Sequence, residues 1–192
     1  MKPWLLNILA CPIDKHHPLD VYFFTWETSE GEISGHAKDA GLPNEKHEKG
    51  YSQIAKQYVD GTISSEAIRK IKDSSGSNDT SGLLAVALDA LNRLGDLQEP
   101  SEESLLQDHK RDLDALYRYM NLVEVDAGIL ICPECGRWYP VGSAVETIPE
   151  MLPDDLREKD RDLKWMEKWT DLIPKQVTEE GKPYNLQDKE AQ

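Results

Sequence analysis

The chain has 192 residues, of which 39% are hydrophobic and 30% charged, and its formal net charge is −14. This length suits one domain of ordinary size or two small ones. The acidic balance argues against a nucleic-acid-binding surface, because contacts to phosphates need clustered Lys and Arg. No segment approaches the roughly 20 apolar residues of a membrane span, and the apolar run near the N-terminus is too short for a signal peptide. We therefore expect a cytoplasmic protein that contacts neither membranes nor, directly, nucleic acid.

Residues 1–26 predict a short helix followed by a strand. Pro3 suits a first helical turn, and Trp4 and Ile8 share one face at i, i+4 spacing. From residue 19 to residue 26, apolar and polar residues alternate, which is typical of a strand. Aromatic residues occur on both faces of this strand, so we expect it to be buried on both sides.

Residues 27–121 differ in composition and predict a mostly helical insert with a small core of its own. The part up to residue 50 is rich in Gly, Glu, Lys and His without a clear period, and we expect it to be irregular. Leu84, Leu88 and Leu91 mark an amphipathic helix that ends at Gly95. A further helix is predicted from about residue 101 to residue 121.

The strand pattern returns at residue 122. The stretches "LVEV" and "GILIC" predict two strands joined by a hairpin at residues 126–128, and a short strand follows at Trp138–Val141. Residues 1–26 and 122–153 would together form a small β domain that the insert interrupts. An amphipathic helix is predicted over 154–174, and the polar composition of 175–192 predicts a disordered tail. The predicted fold class is α+β.

The stretch Cys132-Pro-Glu-Cys135-Gly136 has the spacing of a zinc knuckle. Two thiolates three positions apart can face one ion, and the following Gly tolerates the positive φ of a tight turn. A thioredoxin-like redox pair is an alternative, but that motif lies between a strand and a helix, whereas strands are predicted on both sides here. Two buried cysteines without a metal are a further alternative.

Cys11 is the candidate for a third ligand, because it begins a second Cys-Pro turn. The fourth ligand has three candidates, which are Asp14, His16 and His17. We favour His16 because structural zinc sites prefer sulfur and imidazole, with Asp14 as the alternative at the position of a missing cysteine. The remaining alternative is that no metal binds and packing alone holds the loops. No known catalytic motif emerges, so we predict no catalytic residues and no bound organic cofactor.

Four stretches resemble one known family. They are "LLNILACP" and "HPLDV" near the start, and "VEVDAGILICPECGRWYPV" and "AVETIPEMLP" after the insert. Together they cover about 60 residues in the order found in that family. The family is the small activator subunit shared by several methyltransferases that modify tRNA, ribosomal RNA and class I release factors.

The resemblance implies a non-catalytic subunit that forms a heterodimer with a class I S-adenosylmethionine-dependent methyltransferase. Such subunits pair a strand of the knuckle domain with an edge strand of the enzyme and cover an apolar patch there. By position, the zinc ligands would include Cys11, Cys132 and Cys135, and the chain departs from the family at the fourth ligand, which is often cysteine. The residues expected to contact the partner are Ile148, Pro149, Met151 and Leu152.

Two other functions remain as alternatives. A zinc-ribbon adaptor of transcription or translation would need a local basic face, which the net charge disfavours. A redox or hydrolytic enzyme would use Cys132 and Cys135 directly in turnover.

Overall fold

The structure is a computed structural model that describes residues 1–190, with side chains described to residue 188. Within this range one mixed sheet of four strands has the order β2-β1-β3-β4. Strand β1 pairs with β2 in parallel and with β3 antiparallel, and β3 pairs antiparallel with β4. The predicted α+β class is confirmed. The strands are β1 (Asp20–Trp26), β2 (Ile71–Asp73), β3 (Val125–Ile131) and β4 (Trp138–Val141).

The predicted hairpin at residues 126–128 is wrong, because β3 runs through these residues without a turn. The register joins Val21 to Leu130 and Phe23 to Gly128 across the antiparallel pair. A Cβ at Gly128 would lie 2.7 Å from the backbone oxygen of Tyr22, so this glycine permits a close approach of two strands and not a turn.

The insert is mostly helical, as the sequence predicts. Helix α1 occupies part of the stretch expected to be irregular, and a capping box between Ser29 and Glu32 begins it. A π-helical turn, Arg118–Leu122, leads from the last of these helices back to the sheet. The helices are α1 (Glu30–Asp39), α2 (Glu48–Val59), α3 (Ser65–Arg69), α4 (Asn78–Gly95), α5 (Glu102–Asp108) and α6 (Lys110–Tyr117).

The insert does not have a core of its own. Strand β2 comes from the insert and extends the sheet, and one buried cluster joins Val21 and Phe23 of β1 to Leu91 of α4 and Leu116 of α6. A parallel strand pairing needs a long crossover connection, which here is supplied by α1 to α3. The strands before and after the insert therefore bury one continuous apolar core together with the insert.

A buried charged group stabilises the helical part of this core. The carboxylate of Asp114 on α6 accepts hydrogen bonds from Tyr51 Oη at 2.6 Å, Arg118 Nε at 2.8 Å and the backbone N–H of Gly41 at 2.9 Å. Burial, together with the bond to Asp114, raises the pKa of Tyr51 to about 12. Because its neighbours satisfy this carboxylate, the network connects α2 and the loop after α1 to α6.

The region after residue 153 differs from the prediction. The helix expected over 154–174 covers only α7 (Lys159–Lys168), because Arg157 is in an extended conformation and Trp169 ends the helix. Two short helices follow, α8 (Lys175–Glu180) and α9 (Gln187–Glu190), in the stretch predicted to be disordered. The last two residues of that predicted tail, 191–192, lie outside the described residues.

This C-terminal segment, residues 154–190, folds back onto the sheet. The backbone N–H of Trp138 donates to Lys182 O at 3.1 Å, and the indole Nε1 of Trp138 donates to Tyr184 O at 2.8 Å. Val177 of α8 is buried in a second apolar cluster on this side. These contacts order a stretch whose polar composition alone predicts disorder. No helix within residues 1–190 combines the length and the apolar character that a bilayer crossing requires.

Candidate functional site

Two turns with the same backbone hydrogen bonds meet at the end of the sheet. In the first turn, Cys11–His16, the N–H of Cys11 donates to His16 O at 3.0 Å and the N–H of Lys15 donates to Cys11 O at 2.9 Å. In the second turn, Cys132–Arg137, the N–H of Cys132 donates to Arg137 O at 2.8 Å and the N–H of Gly136 donates to Cys132 O at 3.0 Å. The fifth residue of each turn has positive φ, 63° at Lys15 and 72° at Gly136.

The turns bring four metal-ligating side chains together, which are Cys11, Asp14, Cys132 and Cys135. Their ligand atoms all lie within 4.8 Å of one another, and Cys11 Sγ is 3.7 Å from Cys135 Sγ. Zn–S bonds of ~2.3 Å in a tetrahedron place two sulfurs roughly 3.8 Å apart, so this separation fits one tetrahedral ion. Four protein ligands fill a tetrahedron and leave no open position for a substrate, as in structural sites.

The structure brings a different residue to the three cysteines from the one favoured as fourth ligand from the sequence. Asp14 joins the cluster and His16 does not, because Asp14 occupies in the first turn the position that Cys135 occupies in the second. The chain reverses at Lys15, and the N–H of His16 donates to Asp14 Oδ1 at 3.0 Å. His17 is also outside the cluster, and its Nε2 lies 3.2 Å from Leu6 O.

Within the cluster, the pKa of the Asp14 carboxyl is lowered and the pKa of the Cys132 thiol is raised. The hydrogen bond from the His16 N–H, followed by one from Cys11, holds the pKa of Asp14 well below its usual range. Burial raises the pKa of the Cys132 thiol to about 12, and this thiol donates to Asp14 Oδ2 at 3.3 Å. A bound cation lowers the pKa of thiols that ligate it, so metal binding would release protons from this site. Three thiols and one carboxylate could hold a metal ion.

Tyr139 also belongs to the site, and it was not among the residues predicted from the sequence. Its hydroxyl lies 3.1 Å from Cys11 Sγ, and burial together with Cys11 raises the pKa of Tyr139. The alternation in β4 was a usable signal, since it places Tyr139 on the opposite face from Trp138, towards the main core.

The setting of the two neighbouring cysteines differs from that of a redox pair. Cys132 and Cys135 lie between β3 and β4, and not between a strand and a helix. All three cysteines are free thiols. The arrangement therefore suits metal ligation more than the thioredoxin-like alternative.

The four residues expected to contact a partner have different environments. Ile148 is 50% exposed, whereas Pro149 bridges to Val141 of β4 and Met151 packs against the main core. Leu152 is partly buried. Two further apolar side chains in this part of the sequence, Val145 and Leu156, are 55% and 62% exposed and were not among the residues predicted from the sequence. The N–H of Ile148 donates to Val145 O at 3.2 Å, so these two residues are neighbours. We call Val145 and Ile148 the apolar patch.

Strand β4 lies at one edge of the sheet, and its outward backbone groups already have partners. Trp138 N donates to Lys182 O, and Pro140 O accepts from the N–H of Glu150 at 2.8 Å. Trp138 O accepts from the guanidinium of Arg157. Since Pro140 has no N–H, the described residues leave no free hydrogen-bonding ladder on this edge.

Comparison with known proteins agrees with the resemblance. The family model described as Trm112p-like protein matches residues 2–142, which include the sheet and all four residues of the metal cluster. No curated protein matches the sequence. Because the match covers well over half of the chain, this protein belongs to the Trm112p-like family, whose members are activator subunits of methyltransferases.

Proposed function

We propose that this chain is a non-catalytic subunit that binds and stabilises a class I S-adenosylmethionine-dependent methyltransferase acting on tRNA, ribosomal RNA or a translation release factor. The observation that carries the proposal is the family match over residues 2–142. The match spans all four strands of the sheet, the insert and the two turns of the metal cluster.

We place the docking surface at β4 and the apolar patch beside it. Val145 and Ile148 expose apolar surface on an acidic protein, and neighbouring exposed apolar side chains favour a protein partner. The N–H of Gly142, directly after β4, donates to Ile148 O at 3.1 Å, so the patch adjoins the sheet edge. Because the outward backbone groups of β4 have partners within the chain, strand addition would require their displacement, after which a partner would contact main-chain groups and apolar side chains together.

We assign a structural role to zinc in the four-residue cluster. The ion would connect the loop before β1 to the loop between β3 and β4, which lie far apart in the sequence. Because structural zinc binding contributes directly to folding, the ion would stabilise the sheet end that supports β4. Cytoplasmic localisation remains an expectation of the sequence.

The test is co-expression of this chain with candidate class I methyltransferases. We expect at least one enzyme to become more soluble and to gain methyl transfer, because a partner that binds only the folded enzyme stabilises it by mass action. Ile148→Asp should weaken that complex. Val59→Asp is the matched control, because Val59 is similarly exposed, at 43%, but lies on α2 of the insert.

Two outcomes contradict the proposal. One is that no methyltransferase gains solubility or activity. The other is that the purified chain alone shifts tRNA at moderate salt, which would favour the zinc-ribbon adaptor. If the Ile148 and Val59 variants lose binding equally, the apolar patch is not part of the docking surface. This outcome would not contradict the proposed function.

A further inference from the structure

Both faces of the sheet are apolar, and they are covered by different parts of the chain. One face packs on the main core. The other, which we call the outer face, packs on the C-terminal segment. All five buried residues of the outer face lie within the family-matched range of residues 2–142; they are Phe24, Ala127, Ile129, Ile131 and Trp138.

The side chains that cover the outer face lie beyond the matched range. Trp165 and Met166 of α7, Ile173, and Val177 of α8 complete the second cluster. Trp165 stacks on Trp138 with ring centroids 6.0 Å apart, and Phe24 lies 6.0 Å from Trp165. The matched part of the chain thus has an apolar face that needs a cover, and in this protein the cover is its own C-terminal segment.

The same segment occupies the Trp138 part of the β4 edge. Lys182 O accepts from the N–H of Trp138, and the guanidinium of Arg157 donates to Trp138 O, whereas Pro140 O accepts from Glu150, before the segment. The Trp138 groups are among those that an added partner strand would use. The segment therefore covers the outer face and part of the edge, which are the two surfaces that a strand-adding partner would contact.

Within the described residues, buried polar atoms without a hydrogen-bond partner are more frequent per residue in the C-terminal segment than in the rest of the chain. Several of its buried polar atoms have no hydrogen-bond partner, namely Arg157 Nη2, Arg161 Nε, Asp162 Oδ1, Trp165 Nε1 and Trp169 Nε1. One pair connects its beginning to α7, with Arg157 Nε 2.7 Å from Asp162 Oδ2 and the Arg157 guanidinium over the Trp138 ring at 4.3 Å. The main core also has such an atom, Tyr119 Oη, but these atoms are spread over a much longer part of the chain there, and Asp114 has three donors. Unpaired buried polar groups oppose packing, so the segment should detach before the main core unfolds.

We propose that the C-terminal segment is an intramolecular cover, which the partner methyltransferase displaces from β4 and from the outer face when it binds. This inference rests on the proposed function. The free chain would then hold its docking surface closed, and the apparent affinity for the partner would be reduced by the fraction of molecules in which the segment is detached. The cover would also protect the apolar outer face from self-association in the absence of an enzyme.

The test compares Asp162→Asn with Asp160→Asn in the full-length chain. Both variants remove one negative charge from α7, but Asp162 is buried against Arg157 whereas Asp160 is exposed. Asp162→Asn leaves the buried Arg157 charge unpaired and should weaken the closed state. We expect Asp162→Asn to bind the co-purifying methyltransferase at least about tenfold more tightly than the unchanged chain, with no change for Asp160→Asn.

Amide hydrogen exchange gives a second readout that does not depend on one variant folding well. In the complex, backbone amides of residues 157–186 should exchange faster than in the free chain, while those of β4 stay protected by the partner strand. A segment that is equally protected in the free chain and in the complex overturns the proposal. Equal affinities of the unchanged chain and Asp162→Asn also overturn it.

Failure of the proposed function gives a different result. In that case no methyltransferase binds either the unchanged chain or Asp162→Asn. Amide hydrogen exchange of the isolated chain then tests whether the C-terminal segment can detach. Residues 157–186 that exchange as slowly as the β1–β3 ladder make the segment a permanent part of the core, whereas faster exchange supports a detachable cover.

Discussion

The two turns of the metal cluster have the same backbone conformation but different side chains. Both have the same pair of hydrogen bonds and a positive φ at the fifth residue. The second turn has Cys135 as its second ligand and Gly136 at the positive φ, whereas the first has Asp14 and Lys15 at these positions. The comparison shows that the turn geometry does not depend on a second cysteine or on glycine.

Asp14 explains how the first turn keeps this geometry. Its carboxylate accepts a hydrogen bond from the N–H of His16, as Asp side chains do in local turns, and it also points into the cluster. The Asp14 side chain therefore stabilises the turn and also places a carboxylate oxygen where it could bind a metal ion. The cost is a lysine with positive φ, a conformation that glycine adopts without strain.

The largest expected effect comes from the second turn. Cys132→Ala removes a buried thiol and should reduce the zinc content from about one ion per chain to a small fraction, because structural zinc needs all four ligands. Elemental analysis of the purified protein measures this. His16→Ala is the control in the first turn and should keep its zinc. A zinc-free His16→Ala protein would restore His16 as the ligand and refute the assignment of Asp14.

Removal of the metal should lower the stability of the whole sheet end. With zinc at about 100 times its Kd, binding adds about 2.7 kcal/mol to the free energy of unfolding, which corresponds to a shift in Tm of about 5–10 °C for a chain of this size. Thermal unfolding with and without a chelator measures the shift. Cys132→Ala should show no such difference, and an unchanged Tm in the unsubstituted protein would mean that packing alone holds the two turns.

Making the first turn resemble the second should tighten the site. Asp14→Cys gives a four-sulfur set, and we expect zinc affinity to rise about tenfold, or ~1.4 kcal/mol, because thiolate is a better zinc ligand than carboxylate. Competition with a chromophoric chelator gives the affinity. His16→Cys serves as the control and should leave the affinity unchanged, since His16 lies outside the cluster. A gain in His16→Cys alone would show that the chain places residue 16 at the metal.

The smallest effects concern the fifth residue of each turn, and they should have opposite signs. A Cβ at Gly136 meets nothing within 4 Å, so Gly136→Ala carries only the cost of positive φ and should lower the free energy of unfolding by about 1 kcal/mol. Lys15→Gly should raise it by roughly 0.5 kcal/mol, because relief of the same strain is partly offset by the greater freedom of glycine in the unfolded chain. Denaturant unfolding with zinc present measures both, and changes of the same sign would show that the turns are not equivalent.

Local patterns predicted several elements well. The alternation over residues 19–26 predicted a strand buried on both sides, and Phe23 and Phe24 are both buried, on opposite faces. The spacing of Cys132 and Cys135 predicted a turn suited to metal ligation, and Cys11 joins these residues in a cluster that could hold a metal ion. These features depend on periodicity and spacing within short stretches, which can be identified in the sequence without knowledge of distant contacts.

Other features depended on contacts between distant residues. The sequence predicted a hairpin at Gly128, but this glycine permits a close approach of β1, which no local pattern reveals. The choice between Asp14 and His16 followed from a chain reversal at Lys15 that composition does not predict. The insert was expected to have a separate core, but its strand β2 joins the sheet.

The sequence by itself determined the α+β class, the helical insert, the two cysteine turns and the family, because these follow from spacing and periodicity within short stretches. Only the tertiary structure decided which fourth side chain lies beside the three cysteines, that the core is continuous across the insert, and that the C-terminal segment is ordered. That segment is polar in composition, and it becomes ordered because Trp165, Met166 and Val177 meet an apolar sheet face formed by residues of β1, β3 and β4. Burial against a distant surface, and not local propensity, determines its structure.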